Sequence, residues 1–302
     1  MADQRTAALL HKSAGDRIFN LFNLLLLIIF CLTCIYPFWS TFLLSFSPQE
    51  EATSLGFHIW IGKWSATAYK FAFSRYGNVL IAYRNSIIKT VVGTAAIIAF
   101  TLMAAYPLSK RNFPGRTVIT IYILITMFFS GGIIPLYLLI RGLGLRDILW
   151  SLILPTMVSG FYVIIMRNFL MTIDRSYEEA AFMDGANYAQ ILVRVMVPLS
   201  KPVIATVALW SAVRHWNAWF DAMIFINTES KVVLQLLLRR MLAEIQFIYR
   251  EMTNFRNFWE LELPTESVKA AIAMITIGPI ILVYPFAQKY FIRGIYIGSL
   301  KG

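Results

Sequence analysis

The chain has 302 residues, 58% of them hydrophobic and 14% charged, with a formal charge of +11. That balance is far too apolar for a water-soluble domain of this length. The positive charge does not point to nucleic acid, because no basic segment is interleaved with aromatics in a soluble module. It reads instead as the flanking charge of a membrane protein.

A bilayer core needs roughly 20 apolar residues per spanning helix. Six stretches qualify, at about 18–46, 87–106, 118–140, 149–169, 202–227 and 268–286. Residues 1–17 form a short leading segment, and 18–302 read as one membrane domain. The first apolar run is too long for a signal peptide and no small-residue cleavage site follows it. Cys31 and Cys34 lie one turn apart within it, without a His or third Cys near in sequence, and read as packing groups. A connection at 47–83 carries Trp60, Trp64 and Tyr69. The short loop Lys110, Arg111 to Arg116 is the cleanest positive-inside signal, although with a cytoplasmic N-terminus the 27 Lys and Arg divide 13 inside and 13 outside, with Arg214 within a span. Ser130, Gly131, Gly132 and Pro135 interrupt the third stretch. Such a break either lines a cavity or allows close helix packing.

Between the fourth and fifth stretches, residues 174–201 form a polar hairpin. Ser176 followed by Glu179 has the spacing of a capping box, Gly185 suits a helix C-terminus, and Asn187 with Gln190 repeats the start signal. Pro198 is expected to close the second helix. Tyr188, Ile191, Leu192 and Val195 give that helix one apolar face. A loop of this build between membrane spans offers a grip to something outside the bilayer.

The fifth stretch carries Trp210, Arg214, His215, Asn217 and Asp221. A charge at membrane depth is costly and usually faces a polar interior or a partner. Trp210, Arg214, Asn217 and Asp221 fall at offsets 0, 4, 7 and 11, on one face of a continuous helix. Aromatic faces stack on sugar rings while Arg and Asn donate to hydroxyls and carboxylates, so this face is a candidate substrate path. The alternative is an interhelical clamp of Arg214 with Asp221 or with a partner, holding two subunits together; His215 points off the face. The connection at 228–267 includes an amphipathic helix at Leu234 to Gln246, read as a lid or as a docking surface. No phosphate-cradling Gly-rich loop, His-Glu-x-x-His or Gly-x-Ser-x-Gly run occurs, so neither catalytic residues nor a metal site are expected. The absence of visible inverted repeats weighs against the competing class, a secondary transporter of sugars or other small polar solutes.

Glu179, Ala180, Ala181, then Gly185, then Val195 to Pro198 resembles the EAA loop of ABC importer permeases, with Val195 and Val197 in place of isoleucine and leucine. Residues 130–155, Trp216–Asn217 and the tail from Gln288 to Gly302 are similar to the carbohydrate-uptake branch, nearest to permeases for complex oligosaccharides and polysaccharide fragments. The resemblance implies an all-α polytopic fold of the maltose-permease type with six transmembrane helices. It implies a bacterial cytoplasmic (inner) membrane location with both termini and the hairpin cytoplasmic. Glu178, Glu179, Ala180, Ala181, Asp184, Gly185 and Pro198 would couple the chain to an ATPase. The expected partners are a second, related permease, two ATP-binding-cassette ATPase subunits that bind ATP and Mg in place of this chain, an extracytoplasmic solute-binding protein and membrane lipid, with no nucleic acid. Lys231, Arg239, Arg240, Arg250 and Arg256, with Arg214, lean the substrate towards acidic, uronate or alginate-type oligosaccharides, against six glutamates in the same connection as the first five.

Overall fold

The computed structural model describes residues 14–52, 59–75, 77–254 and 266–277. The regular structure among them is helical. The chain divides into two compact units, residues 1–74 with 251–275 and residues 75–250 with 276–302. The leading segment up to 13, the tail from 278 and with it the second half of the sixth apolar stretch, and Arg256, lie outside the described residues.

In the first unit, α1 (Ala14–Ser45) presents apolar side chains on every face and leaves them exposed over most of its length. A helix hydrophobic all round belongs in lipid or against other membrane helices. Its last turns are covered by the connection after it, which includes α2 (Gln49–Ala52) and α3 (Thr67–Arg75). Phe46 meets Trp64 and Tyr69 at centroid distances of 5.8 and 4.8 Å, and Trp60 meets Trp64 edge-on. The Tyr69 hydroxyl donates to Ser45 Oγ at 2.9 Å and Trp39 Nε1 donates to the Ile59 carbonyl at 3.0 Å. Tyr69 and Trp39 thus satisfy their polar tips, while Trp60 and Trp64 stay largely exposed.

The second unit is organised around α4 (Val79–Ser109), at 31 residues its longest helix. On α4 the pattern of a water-soluble helix is inverted, as suits a membrane helix. Ile87, Ile88, Val91 and Val92 are exposed, while Asn85, Ser86, Lys89 and Gly93 are buried. Around it come α5 (Arg116–Phe128), α6 (Ile133–Gly142), α7 (Trp150–Ile153) and α8 (Gly160–Leu170). The hairpin comes next as α9 (Ser176–Met183), α10 (Tyr188–Ile191), a wide π turn at Leu192–Met196, and α11 (Val197–Leu199). Then come α12 (Lys201–Asn217), α13 (Phe220–Phe225) and α14 (Leu234–Asn254), and α4 packs chiefly against α12 and α8. A cluster that includes Ile97, Tyr106, Met166, Ile191 and Val207 joins α4, α8, the hairpin and α12.

Only α1 and α4 are long and apolar enough to cross a membrane unaided among the described residues; three bent pairs reach that length together. The stretch at 118–140 is one of them, since α5 and α6 meet at 110°. Gly132 sits at the elbow with φ 82 and ψ −176, a conformation open in practice to glycine alone. At 150–170 the bend is 49°, and between the hairpin and α12 it is 83°.

α14 confirms the amphipathic reading. Leu234, Leu236, Leu238, Met241 and Ile245 are buried, and Leu236 joins Ile140, Leu152 and Phe225 in a second cluster. The start of this helix and the row Leu234, Leu238, Met241 and Ile245 are therefore packed down. Arg239 and Arg240 face outward, with the Arg239 guanidinium 3.7 Å above the Trp219 ring.

Candidate functional site

The hairpin begins differently from its sequence signal. Ser176 is already helical, the cap position falls on Arg175, and the Ser176 N–H is met by Asp174 Oδ1 at 2.9 Å. The expected Ser176–Glu179 capping box is thus replaced by an aspartate two residues upstream, which extends the helix backwards by its own short-range bond. Glu179 is released to solvent. At the other end of α9, Gly185 adopts φ 80, its N–H bonds the Phe182 carbonyl at 3.0 Å and the Ala186 N–H reaches back to Ala181 at 3.0 Å. That is a Schellman cap. The second start signal holds in full, because Gln190 N–H donates to Asn187 Oδ1 and Asn187 N–H to Gln190 Oε1, both at 2.9 Å.

Beyond α10 the expected apolar face is corrected. Ile191 is buried and Leu192 and Val195 pack partly, but Tyr188 is 64% exposed and Met196 goes to the interior instead. The π turn explains this. One extra residue in the turn rotates the residues beyond it, so the inward position passes from Val195 to Met196. Nor does Pro198 end the helix. It lies inside α11, and the chain leaves only at Ser200, whose N–H bonds Met196 O at 2.9 Å. Proline removes one backbone donor, and the wide turn takes up the mismatch.

The two faces of α9 differ in chemistry. Glu178 points inward and pairs with Lys110, whose ammonium lies 4.2 Å from the Tyr106 ring centroid. Arg167 Nε donates to Leu108 O at 3.0 Å, so the last turn of α4 is fastened from two sides. Ala181 packs against the same core. Outward lie Tyr177, Glu179, Ala180, Phe182, Met183 (88% exposed) and Asp184. Between the hairpin and residues 109–112 is a cavity of about 290 Å³ lined by Lys110, Arg111, Arg175, Glu179, Phe182 and Tyr188.

On α12, Trp210 lies beside Phe161 at a centroid distance of 5.8 Å, and Trp210, Arg214 and Asn217 are exposed. The four-residue face nevertheless stops at Asn217. The helix ends there, Ala218 turns extended at ψ 107, and Asp221 belongs to α13. A continuous-helix projection cannot cross such a break. Among the described residues Arg214 and Asp221 form no ion pair with each other within this chain. Asp221 is half-buried and its charge acts on Lys89. His215 is 3% exposed and wedged against α4, where a Cβ at Gly93 would stand 2.5 Å from its Nε2.

Two groups escaped the sequence reading. Asn85, Ser86 and Lys89 on α4 bond the backbone of the segment after α12; three polar residues within five positions of an apolar stretch were their signal. Asp147, in the left-handed region at φ 61, accepts from the amides of Asn227 and Thr228 at 2.9 Å, from the Thr228 hydroxyl and from Lys231. The Thr228 hydroxyl and amide first, then the Asn227 amide and Lys231, hold its carboxyl well below the usual carboxylate range.

Comparison with known proteins accounts for this arrangement. A model of the family described as binding-protein-dependent transport system inner membrane component matches residues 97–296. Protein LplC of Bacillus subtilis is 39% identical over 97% of this chain and 98% of its own length. The polygalacturonan/rhamnogalacturonan transport system permease protein YtcP of the same organism is 36% identical over 95% and 99%. A chain from the crystal structure of a bacterial ABC transporter involved in the import of the acidic polysaccharide alginate superposes with TM-score 0.80 at 35% identity, covering 93% of this chain and 99% of that one. The secondary-transporter alternative gives way to this match. The chain belongs to the inner membrane components of binding-protein-dependent transport systems, the permeases of ABC importers.

Proposed function

We propose that this permease imports acidic oligosaccharides of the uronate type, working with a second related permease, two ATPase subunits and an extracytoplasmic solute-binding protein. Both termini and the hairpin face the cytoplasm in this reading. The observation that carries it is the two-faced α9. Glu178 and Ala181 bind the helix to its own subunit, while Glu179, Ala180 and Met183 are exposed as a handle. An ATPase closing on that handle would pull α9, and the Glu178–Lys110 pair would pass the pull to α4. The path then opens beside the Trp210–Phe161 rings, with Arg214 and Asn217 next along α12. Acidic cargo is supported by the polymers named for two relatives, polygalacturonan/rhamnogalacturonan and alginate. Charge-assisted hydrogen bonds from an arginine to carboxylates are about twice as strong as neutral ones.

The test is substrate-stimulated ATP hydrolysis by the reconstituted complex with oligogalacturonates, alginate oligomers and neutral oligosaccharides. Stimulation by the acidic oligomers, reduced in Arg214→Ala more than any neutral response, is the expected result. Stimulation confined to neutral oligosaccharides overturns the substrate assignment, and equal losses on all substrates with poor assembly make Arg214 a packing residue.

A further inference from the structure

At Ala218 the backbone leaves the α12 helix, and the carbonyls of the last turn lose their helical partners. Inside a membrane protein such groups must be met by other parts of the protein. Lys89 Nζ donates to the Ala218 carbonyl at 2.9 Å, from a side chain that is 1% exposed. One turn earlier on the same face of α4, Asn85 Nδ2 donates to Ser230 O at 2.9 Å and to Val232 O at 3.0 Å, and Ser86 Oγ accepts from Leu234 N–H at 2.8 Å. Three neighbouring side chains of α4 thus grip both ends of the segment between α12 and α14. The two neutral ones hold the start of α14. The charged one holds the break.

Lys89 is suited to that position twice over. The carbonyl end of α12 carries partial negative charge, and Asp221 adds a full one nearby. Its ammonium has three hydrogens on a flexible four-carbon stem, and among the described residues one carbonyl takes a bond from it. Asparagine and serine at 85 and 86 are short and fixed. Lysine can follow the end of α12 or let it go.

We propose that Lys89 is a latch, a positioning residue that holds the α12–α13 break in place and so sets the direction of Arg214 and Asn217 just before it. This rests on the permease reading above and adds to it the element that must yield when the path changes shape. Release of the Ala218 carbonyl frees the end of α12 to swing, while Asn85 and Ser86 keep α14 seated.

The test uses the complete importer in lipid nanodiscs, with this chain as wild type, Lys89→Met and Lys89→Arg. Amide hydrogen exchange is followed in peptides spanning 217–234 and 176–199, beside basal and substrate-stimulated ATP hydrolysis. In Lys89→Met, exchange over 217–234 should rise about ten-fold or more, because local opening is no longer opposed there, with 176–199 unchanged. Stimulated hydrolysis should fall about ten-fold with basal hydrolysis kept, and Lys89→Arg should restore both, since it keeps charge and donor. Exchange over 217–234 within about two-fold of wild type overturns the latch, whatever transport does. Faster exchange with normal stimulation overturns it equally. Should Lys89→Met fail to assemble, Lys89→Gln keeps one donor without charge, and the same two readouts decide. A wild-type complex that oligosaccharide fails to stimulate refutes the importer reading alone, while the exchange measurement still decides the latch.

Discussion

The hairpin end of α4 and its other end are held by opposite means. At the hairpin, bonds are short in sequence, with a Schellman cap, an Asn187–Gln190 box and one ion pair at the edge of solvent. At the break, the chain is held by buried side chains 129 to 148 residues away in sequence. Partly exposed ion pairs contribute little, a median of about 0–1 kcal/mol, whereas leaving a buried polar group without its hydrogen-bond partner costs about 1–3 kcal/mol. Lys89 and Lys110 are 21 residues apart on one helix, roughly 31 Å at 1.5 Å per residue. A single rod therefore has a loosely pinned end that can be pushed and a tightly pinned end that yields only when its latch is released.

The largest effect is expected at the close approach that the rod needs. A Cβ at Gly93 would stand 2.5 Å from His215 Nε2. Gly93→Val should prevent recovery of folded permease, and Gly93→Ala should destabilise by roughly 1–3 kcal/mol as an overpacked site. The double variant Gly93→Ala/His215→Ala should recover most of that loss in thermal unfolding of the detergent-solubilised chain. If it stays as unstable as Gly93→Ala, the α4–α12 contact is not what limits packing.

Next come changes at the loosely pinned end. Gly185 at φ 80 cannot become proline, whose φ is fixed near −65°, without losing the turn. Gly185→Pro and Glu179→Lys should leave the chain in the membrane and abolish substrate-stimulated ATP hydrolysis of the complex. Normal stimulation in both would detach the hairpin from coupling. The pair behind the handle should matter less to stability. A double-mutant cycle of Glu178→Ala and Lys110→Ala should give a coupling of roughly 1 kcal/mol or less. A coupling several times larger would make the hairpin as rigid as the break and erase the contrast.

The smallest effect concerns pH. The Asp147 carboxyl is depressed in the folded chain, so its contribution is present above the unfolded value of about 3.9 and fades as pH falls below it. The stability difference between wild type and Asp147→Asn should be constant from about pH 5 to 8 and shrink below about pH 4. A difference already shrinking at pH 6 would contradict the four bonds drawn to that carboxylate.

The contrast also explains what could be read from the residues alone. Gly185, Asn187 and Gln190 act through partners a few positions away, so their roles were visible in sequence. The amphipathic α14 was visible for the same reason, through its own periodicity. Lys89 and Asp147 act through partners 129 and 80 or more residues distant, which no local pattern carries. The Trp210 to Asp221 face failed at its last member because the helix it assumed stops at Asn217. Ser176 misled because Asp174 stood close enough to take the cap.

The wide turn at Leu192–Met196 makes this part of the chain obey length before composition. The turn already absorbs one extra residue, whereas removing a residue from the ordinary helix beside it, at Tyr188–Ile191, would shorten the segment by about 1.5 Å and turn everything beyond by about 100°. The 83° elbow into α12 would then aim that helix elsewhere, carrying Trp210, Arg214 and Asn217 with it. Side chains such as Val193 and Arg194, both exposed, can be exchanged freely by comparison. A graft of this hairpin into another permease, or of another's into this one, should therefore be trimmed by counting residues between Gly185 and Ser200 rather than by matching their chemistry.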